Sequence, residues 1–99
     1  MPLEKTIENA VTRWCKAKGI ITRKMNGLGN RSWPDQMFIF PDGRIAFIEF
    51  KAPGKVPTEL QADMLATLQK RGVYAAWFDN KRDALVFLAG FLEVEVIFE

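Results

Sequence analysis

Leu3, Ile7, Val11, Trp14 and Lys18 recur at helical spacing, Ala10 and Cys15 widen the apolar stripe, and Gly19 stands where a terminating glycine belongs. The pattern predicts a first helix over about residues 4–18. Ile20-Ile21-Thr22 reads as a short β-branched strand, and Met25 to Ser32, dense in Asn and Gly, as a flexible loop. Gln36 to Phe40 and Arg44 to Lys51 are strand-like runs flanking Pro41-Asp42-Gly43, a β-hairpin signal. Pro53, Gly54 and Pro57 break the chain before Thr58-Glu59-Leu60-Gln61, a capping box that opens a helix with Leu60, Met64, Leu65 and Leu68 inward. Gly72 closes that helix. Val73 to Phe78 reads as a strand, Asp79-Asn80 as a turn or cap, and Lys81 to about Ala89 as a short helix. Leu92 to Glu99 alternates apolar and acidic residues like a last strand. The order α-β-β-β-α-β-α-β predicts an α/β fold, a mixed central β-sheet with helices on its faces, with the carboxylate-bearing hairpin in the middle.

Composition narrows this picture. Ninety-nine residues suit one domain, 1–99, and 48% hydrophobic with 26% charged residues is the balance of an ordinary soluble globular protein. The absence of histidine excludes His-metal sites and every nucleophile or base that depends on imidazole, so acid–base chemistry falls to carboxylates and lysines. A single cysteine, Cys15, can form neither an intrachain disulfide nor a cysteine zinc site, which fits a reducing compartment. With no long apolar run and no apolar leader after Met1, the expectation is a cytoplasmic protein with no membrane partner. A net charge of +2 says little about partners; the placement of charge says more.

A three-residue loop at Pro41-Asp42-Gly43, with Gly43 left-handed, would pair residues whose numbers sum to 84, so that Asp35 faces Glu49. A two-residue Asp42-Gly43 loop would instead pair Asp35 with Phe50 and put the two acids on opposite faces. In the first register the side chains start about 5 Å apart, and two like charges at that distance require something positive between them. Alternation then places Ile45, Phe47, Glu49 and Lys51 on one face, with the lysine beside the acids. Mg²⁺ or Mn²⁺, held by Asp35, Glu49 and a backbone carbonyl, satisfies such a pair and leaves room for water. A cation that activates water beside a lysine points to phosphodiester hydrolysis.

Pro34-Asp35, Glu49-Phe50-Lys51 and Gln61, with a glutamate in the preceding helix, resemble the PD-(D/E)xK nuclease superfamily. The string Ile48-Glu49-Phe50-Lys51-Ala52-Pro53-Gly54-Lys55, followed by Pro57-Thr58 and Gln61, resembles the VRR-NUC family, whose small stand-alone members occur in phages and bacteria. The resemblance runs from Glu8 to about Leu88 and implies a restriction-endonuclease-like core. It implies Asp35, Glu49 and the Phe50 carbonyl as metal ligands and Lys51 as the catalytic lysine. Gln61 would orient that lysine or the phosphate, and Glu8 would support the metal, with Glu4 one turn earlier as the alternative. Where the family pattern reads Gly-x-Pro-Asp, this chain has Ser32-Trp33-Pro34-Asp35. Together with a likeness to archaeal junction resolvases, the resemblance implies a homodimeric Mg²⁺- or Mn²⁺-dependent endodeoxyribonuclease that cuts branched DNA such as four-way (Holliday) junctions.

Arg23, Lys24 and Arg31 bracket the glycine-containing loop and Lys55 lies across the presumed site, where they would hold a phosphate backbone. Trp33, in a polar loop, is the aromatic expected to touch DNA, whereas Trp14, Phe47, Phe78, Phe87 and Phe91 are expected in the core. The final strand, with Leu92, Val94, Val96 and Phe98 on one side, would supply an edge for self-association. Simpler roles stand beside these: Gln61 at the third helical position can close the capping box, and Glu4 and Glu8 suit the first turns of a helix. The rival functions are a non-catalytic nucleic-acid-binding module, a restriction-type cutter of duplex DNA, and an interaction domain with no nucleic acid partner.

Overall fold

In the computed structural model, which describes residues 3–25 and 32–98, the elements are α1 (Glu4–Ala17), β1 (Ile21–Lys24), β2 (Gln36–Ile39), β3 (Ile45–Phe50), α2 (Glu59–Lys70), β4 (Tyr74–Phe78) and α3 (Lys81–Leu92). The sheet runs β1-β2-β3-β4; the first two pairs are antiparallel and β3 pairs with β4 in parallel through α2. This is the mixed sheet expected, with the hairpin strands at its centre.

Hairpin geometry decides the register. Gly43 sits at φ +90°, and its N–H donates to the Phe40 carbonyl at 2.8 Å while Phe40 N–H donates to the Arg44 carbonyl at 2.9 Å. Ile39 therefore pairs with Ile45 and Gln36 with Ile48, as the three-residue loop requires, and the two-residue alternative falls.

Strand alternation splits the hydrophobic residues into two cores. Phe38, Phe40, Ala46, Ile48 and Phe50 meet Ile7, Val11 and Cys15 of α1 and Ala84, Leu85 and Leu88 of α3. On the opposite face Phe47 and Ala75 meet Leu65, Leu68 and Met64 of α2. The aromatics assigned to the core, Trp14, Phe47, Phe78, Phe87 and Phe91, all pack against one of these clusters.

Two sequence expectations fail. Leu60 is 68% exposed. The side of α2 turned to the sheet runs through Gln61, Leu65 and Leu68, and Leu60 lies about 100° around the helix from that line. The expected last strand does not form: α3 continues through Leu92, Glu93 ends it at φ 56°, and residues 94–98 pair with no strand. Of the apolar positions in this tail only Val96 packs against the core, while Val94 and Ile97 stay exposed. Val96, Ile97 and Phe98 border a cleft with Ala10 and Trp14 of α1 and Leu85 of α3, and the Arg82 guanidinium lies 4.4 Å from the Phe98 ring centroid. A self-association edge built on that strand is lost with it. Among the described residues no helix is long and apolar enough to cross a membrane.

Candidate active site

Pro34 ends the β2–β3 ladder. Hydrogen-bonded pairs alternate along an antiparallel ribbon, and from the Phe40–Arg44 pair the series runs through 38/46 and 36/48 and would then reach residues 34 and 50. Proline has no N–H to give the Phe50 carbonyl. The Phe50 N–H in turn is taken by the Asp35 carboxylate, Oδ2 accepting at 2.9 Å. Asp35 is thereby pinned beside Glu49, in the non-hydrogen-bonded position where facing side chains approach most closely. Its own carbonyl accepts from Met25 N–H at 2.7 Å, tying the end of β1 to the site.

Glu49 is 2% exposed. Burial, the neighbouring Asp35 charge and a hydrogen bond with Asp35 push its pKa up to about 8, and Lys51 opposes the shift. The Lys51 ammonium stands 3.5 Å from Glu49 Oε2, its backbone N–H anchored on the Phe78 carbonyl of β4 at 2.9 Å. Oε1 is buried and accepts no hydrogen bond from the protein; the bond with Asp35 exists only while Glu49 carries its proton.

Gln61 does both things the sequence offered as alternatives. Its Oε1 accepts from Thr58 N–H at 2.9 Å and its backbone N–H donates to Thr58 Oγ1 at 3.2 Å, completing the capping box. Its Nε2 donates to Glu49 Oε2 at 3.2 Å. The amide has an acceptor end and a donor end, and each meets its complement.

The helix acids are placed differently from expectation. Glu8 is buried, with Oε1 accepting from Lys24 Nζ at 2.9 Å and Oε2 from Lys24 Nζ at 2.7 Å and Gln36 Nε2 at 2.9 Å. Lys24 is therefore committed to an ion pair rather than free for phosphate. Glu8, Asp35 and Glu49 do not converge: among the described residues no group of three or more His, Cys, Asp or Glu is arranged to hold a metal. Glu4 is closer in electrostatic terms, its pKa raised first by burial and then by the Asp35 charge, with Lys51 opposing.

No protein-family model matches the chain. Over 58 residues it is 38% identical to "Putative nuclease p44" of Acyrthosiphon pisum secondary endosymbiont phage 1, a match that takes in 59% of this chain and spans 62% of that protein's length. Among solved structures, a VRR_NUC domain aligns with a TM-score of 0.79 at 22% identity, over 89% of this chain and 96% of the other. The chain folds as a VRR_NUC domain.

Within this VRR_NUC fold the remaining predicted residues scatter. Arg23, paired with Met37, lies exposed on the Glu49 face, whereas Lys24, paired with Gln36, lies on the α1 face. Lys55 is exposed in the turn after Lys51, a turn held by Gly54 N–H donating to Asp79 Oδ2 at 3.0 Å. Arg31 lies outside the described residues, as does most of the loop assigned to Met25–Ser32. Trp33 is half-buried at the edge of the smaller core. Its ring packs edge-on against Phe47, centroids 5.7 Å apart, and its Nε1 is buried without a partner. Sequence reasoning did not single out a more exposed aromatic on the Glu49 face. Trp77, paired with Glu49 across the parallel β3–β4 register and so on the same face, is 37% exposed. The signal was weak, because parallel register depends on how α2 packs.

Proposed function

We propose that this chain is a nuclease of the VRR-NUC type that hydrolyses phosphodiester bonds in DNA with Mg²⁺ or Mn²⁺. The observation that carries the reading is the buried Glu49 carboxyl, pressed against Asp35, with one oxygen held by Lys51 and Gln61 and the other reached by no protein donor, so that once ionised it has no partner. An orphaned buried oxygen is costly and asks for a ligand. Its neighbours are oxygen donors too: the second oxygen of Asp35 and the Phe50 carbonyl, which Pro34 cannot serve. This donor set fits a small hard cation, and Asp35, Glu49 and the Phe50 carbonyl would hold it.

When bound, such an ion activates water and offsets charge on the phosphoryl oxygens. Glu49 gives up its proton on binding, and Lys51 keeps its oxygen aligned while offering an ammonium to the phosphate. Exposed Arg23 and Lys55 take the phosphate backbone on either side. One carboxylate pair per chain supports a homodimer for coordinated cutting of both strands, and branched DNA such as a four-way junction is the substrate class we favour. The lone thiol of Cys15, free and buried, suits the reducing cytoplasm.

The test incubates labelled single-stranded, duplex, flap and four-way-junction DNA with the protein and Mg²⁺, Mn²⁺ or chelator, beside Glu49→Ala, Glu4→Gln and Glu8→Gln. We expect metal-dependent cleavage that Glu49→Ala abolishes. Glu4→Gln should slow cleavage at unchanged stability, and Glu8→Gln should chiefly lower Tm. Retained DNA binding with no cleavage in any metal would instead favour a non-catalytic binding module.

A further inference from the structure

We infer that Thr58 is a positioning residue for the carboxylate site, acting through Gln61 on Glu49; the inference rests on the nuclease reading and deepens it. The geometry is a relay of three hydrogen bonds. Thr58 Oγ1 accepts from Gln61 N–H at 3.2 Å, Thr58 N–H donates to Gln61 Oε1 at 2.9 Å, and Gln61 Nε2 donates to Glu49 Oε2 at 3.2 Å.

The bond from the Thr58 backbone N–H decides which way the amide faces, and the bond from the Gln61 backbone N–H to Thr58 Oγ1 holds the cap in the geometry that keeps the Thr58 N–H aimed at that amide. A flipped Gln61 would set its NH2 against the Thr58 N–H, donor to donor, and its carbonyl against the Glu49 carboxyl. The capping box therefore excludes the orientation that would fail at the site. The third bond decides which Glu49 oxygen is free. The terminal torsion of a glutamate is soft and roughly two-fold, so a carboxyl with no fixed partner swivels. Gln61 and Lys51 both hold Oε2, which leaves Oε1 as the oxygen presented without a partner. The hydrogen bonds of Thr58 run to Gln61 and not to Glu49 itself. Its effect passes entirely through the side chain three residues on.

The position has its own structural logic. Pro57 precedes the cap, Thr58 adopts φ −65° and ψ 166°, and α2 begins at Glu59, so the capping residue is set at the junction of the β3–α2 connection and the helix. A simple helix cap would require no particular residue at the third position beyond Glu or Gln. Here glutamate would cap as well but would bring a third carboxylate to Asp35 and Glu49, so the site itself demands the amide.

The test compares Thr58→Ala and Thr58→Ser with the unaltered chain, well below the Tm of each. Cleavage is measured as kcat and KM, and the Gln61 side-chain NH2 is followed by NMR for solvent exchange and mobility. We expect Thr58→Ala to mobilise the Gln61 amide and lower kcat about tenfold, with KM changed less than about twofold. Thr58→Ser should restore both. An unaltered Gln61 amide in Thr58→Ala, or a lowered Tm with kcat unchanged, overturns the inference. If the unaltered chain cleaves nothing, the nuclease reading fails, while the NMR comparison still decides whether Thr58 fixes the amide.

Discussion

At Glu49 the chain keeps an acid where burial favours its neutral form. Its carboxyl is raised from 4.5 to about 8 by burial first and Asp35 second, so in the absence of metal it is largely protonated at neutral pH. The folded state binds this proton more tightly than the unfolded chain does. The stabilisation is therefore fully present below about pH 4.5 and is lost as pH rises through about 8. Each tenfold difference in proton affinity is worth about 1.4 kcal/mol, or about 5–10 °C in Tm for a domain of this size. We expect the Tm of the metal-free protein to fall between pH 5 and pH 8.5, and Glu49→Gln, neutral throughout, to remove most of that fall. Scanning calorimetry with chelator present checks it; equal slopes for the two proteins would contradict the burial argument. The sequence already made this residue conspicuous, a carboxylate inside Ala46-Phe47-Ile48-Glu49-Phe50. The Glu8–Lys24–Gln36 network was not legible in the same way. Its members are 16 and 28 residues from Glu8 and meet only after α1 packs on the sheet.

Elements were legible wherever a local signal fixed them. Gly43 is the clearest case, since a left-handed residue closing a three-residue loop sets the register of the whole β2–β3 ribbon, and with it the meeting of Asp35 and Glu49. The capping box at Thr58 and Gln61 marked α2 in the same way. The tail after Leu92 failed because alternation of apolar and acidic residues records only that one side is covered. It does not say whether a strand or a helix pair does the covering, and here Ala10, Trp14 and Leu85 border that side. Gly43→Ala tests the hairpin directly. Nothing lies within 4 Å of the Cβ it would add, so the cost is conformational, about 1–2 kcal/mol. The expected result is a Tm lower by about 5–15 °C with kcat unchanged well below that Tm, because at this cost an alanine still adopts the left-handed turn and the ribbon keeps its register. A loss of cleavage in a still-folded Gly43→Ala protein would mean the ribbon has slipped, moving Asp35 to the other face.

The whole molecule is one sheet sandwiched between two unequal cores, and its lone thiol lies in the larger. Cys15 is fully buried among α1, α3 and the sheet, and burial pushes its pKa up to about 12. A thiol so enclosed is alkylated only when α1 leaves the sheet, so its labelling rate measures opening of the fold. The carboxylate pair lies at the ends of β2 and β3, strands whose other face carries this core. A cation held as proposed by Asp35 and Glu49 would bind the folded state alone, and at a hundredfold excess over Kd would contribute about 2.7 kcal/mol, or about a hundredfold in the open fraction. Saturating Mn²⁺ should therefore slow iodoacetamide labelling of Cys15 about a hundredfold, provided the opening that exposes Cys15 also dismantles the ribbon. Glu49→Gln should abolish the slowing, though its Cys15 surroundings are untouched. If Mn²⁺ slows labelling equally in both proteins, the ion binds elsewhere. If it stabilises the unaltered protein against denaturant but leaves its labelling rate unchanged, α1 opens alone, and the two faces of the sheet unfold as separate units.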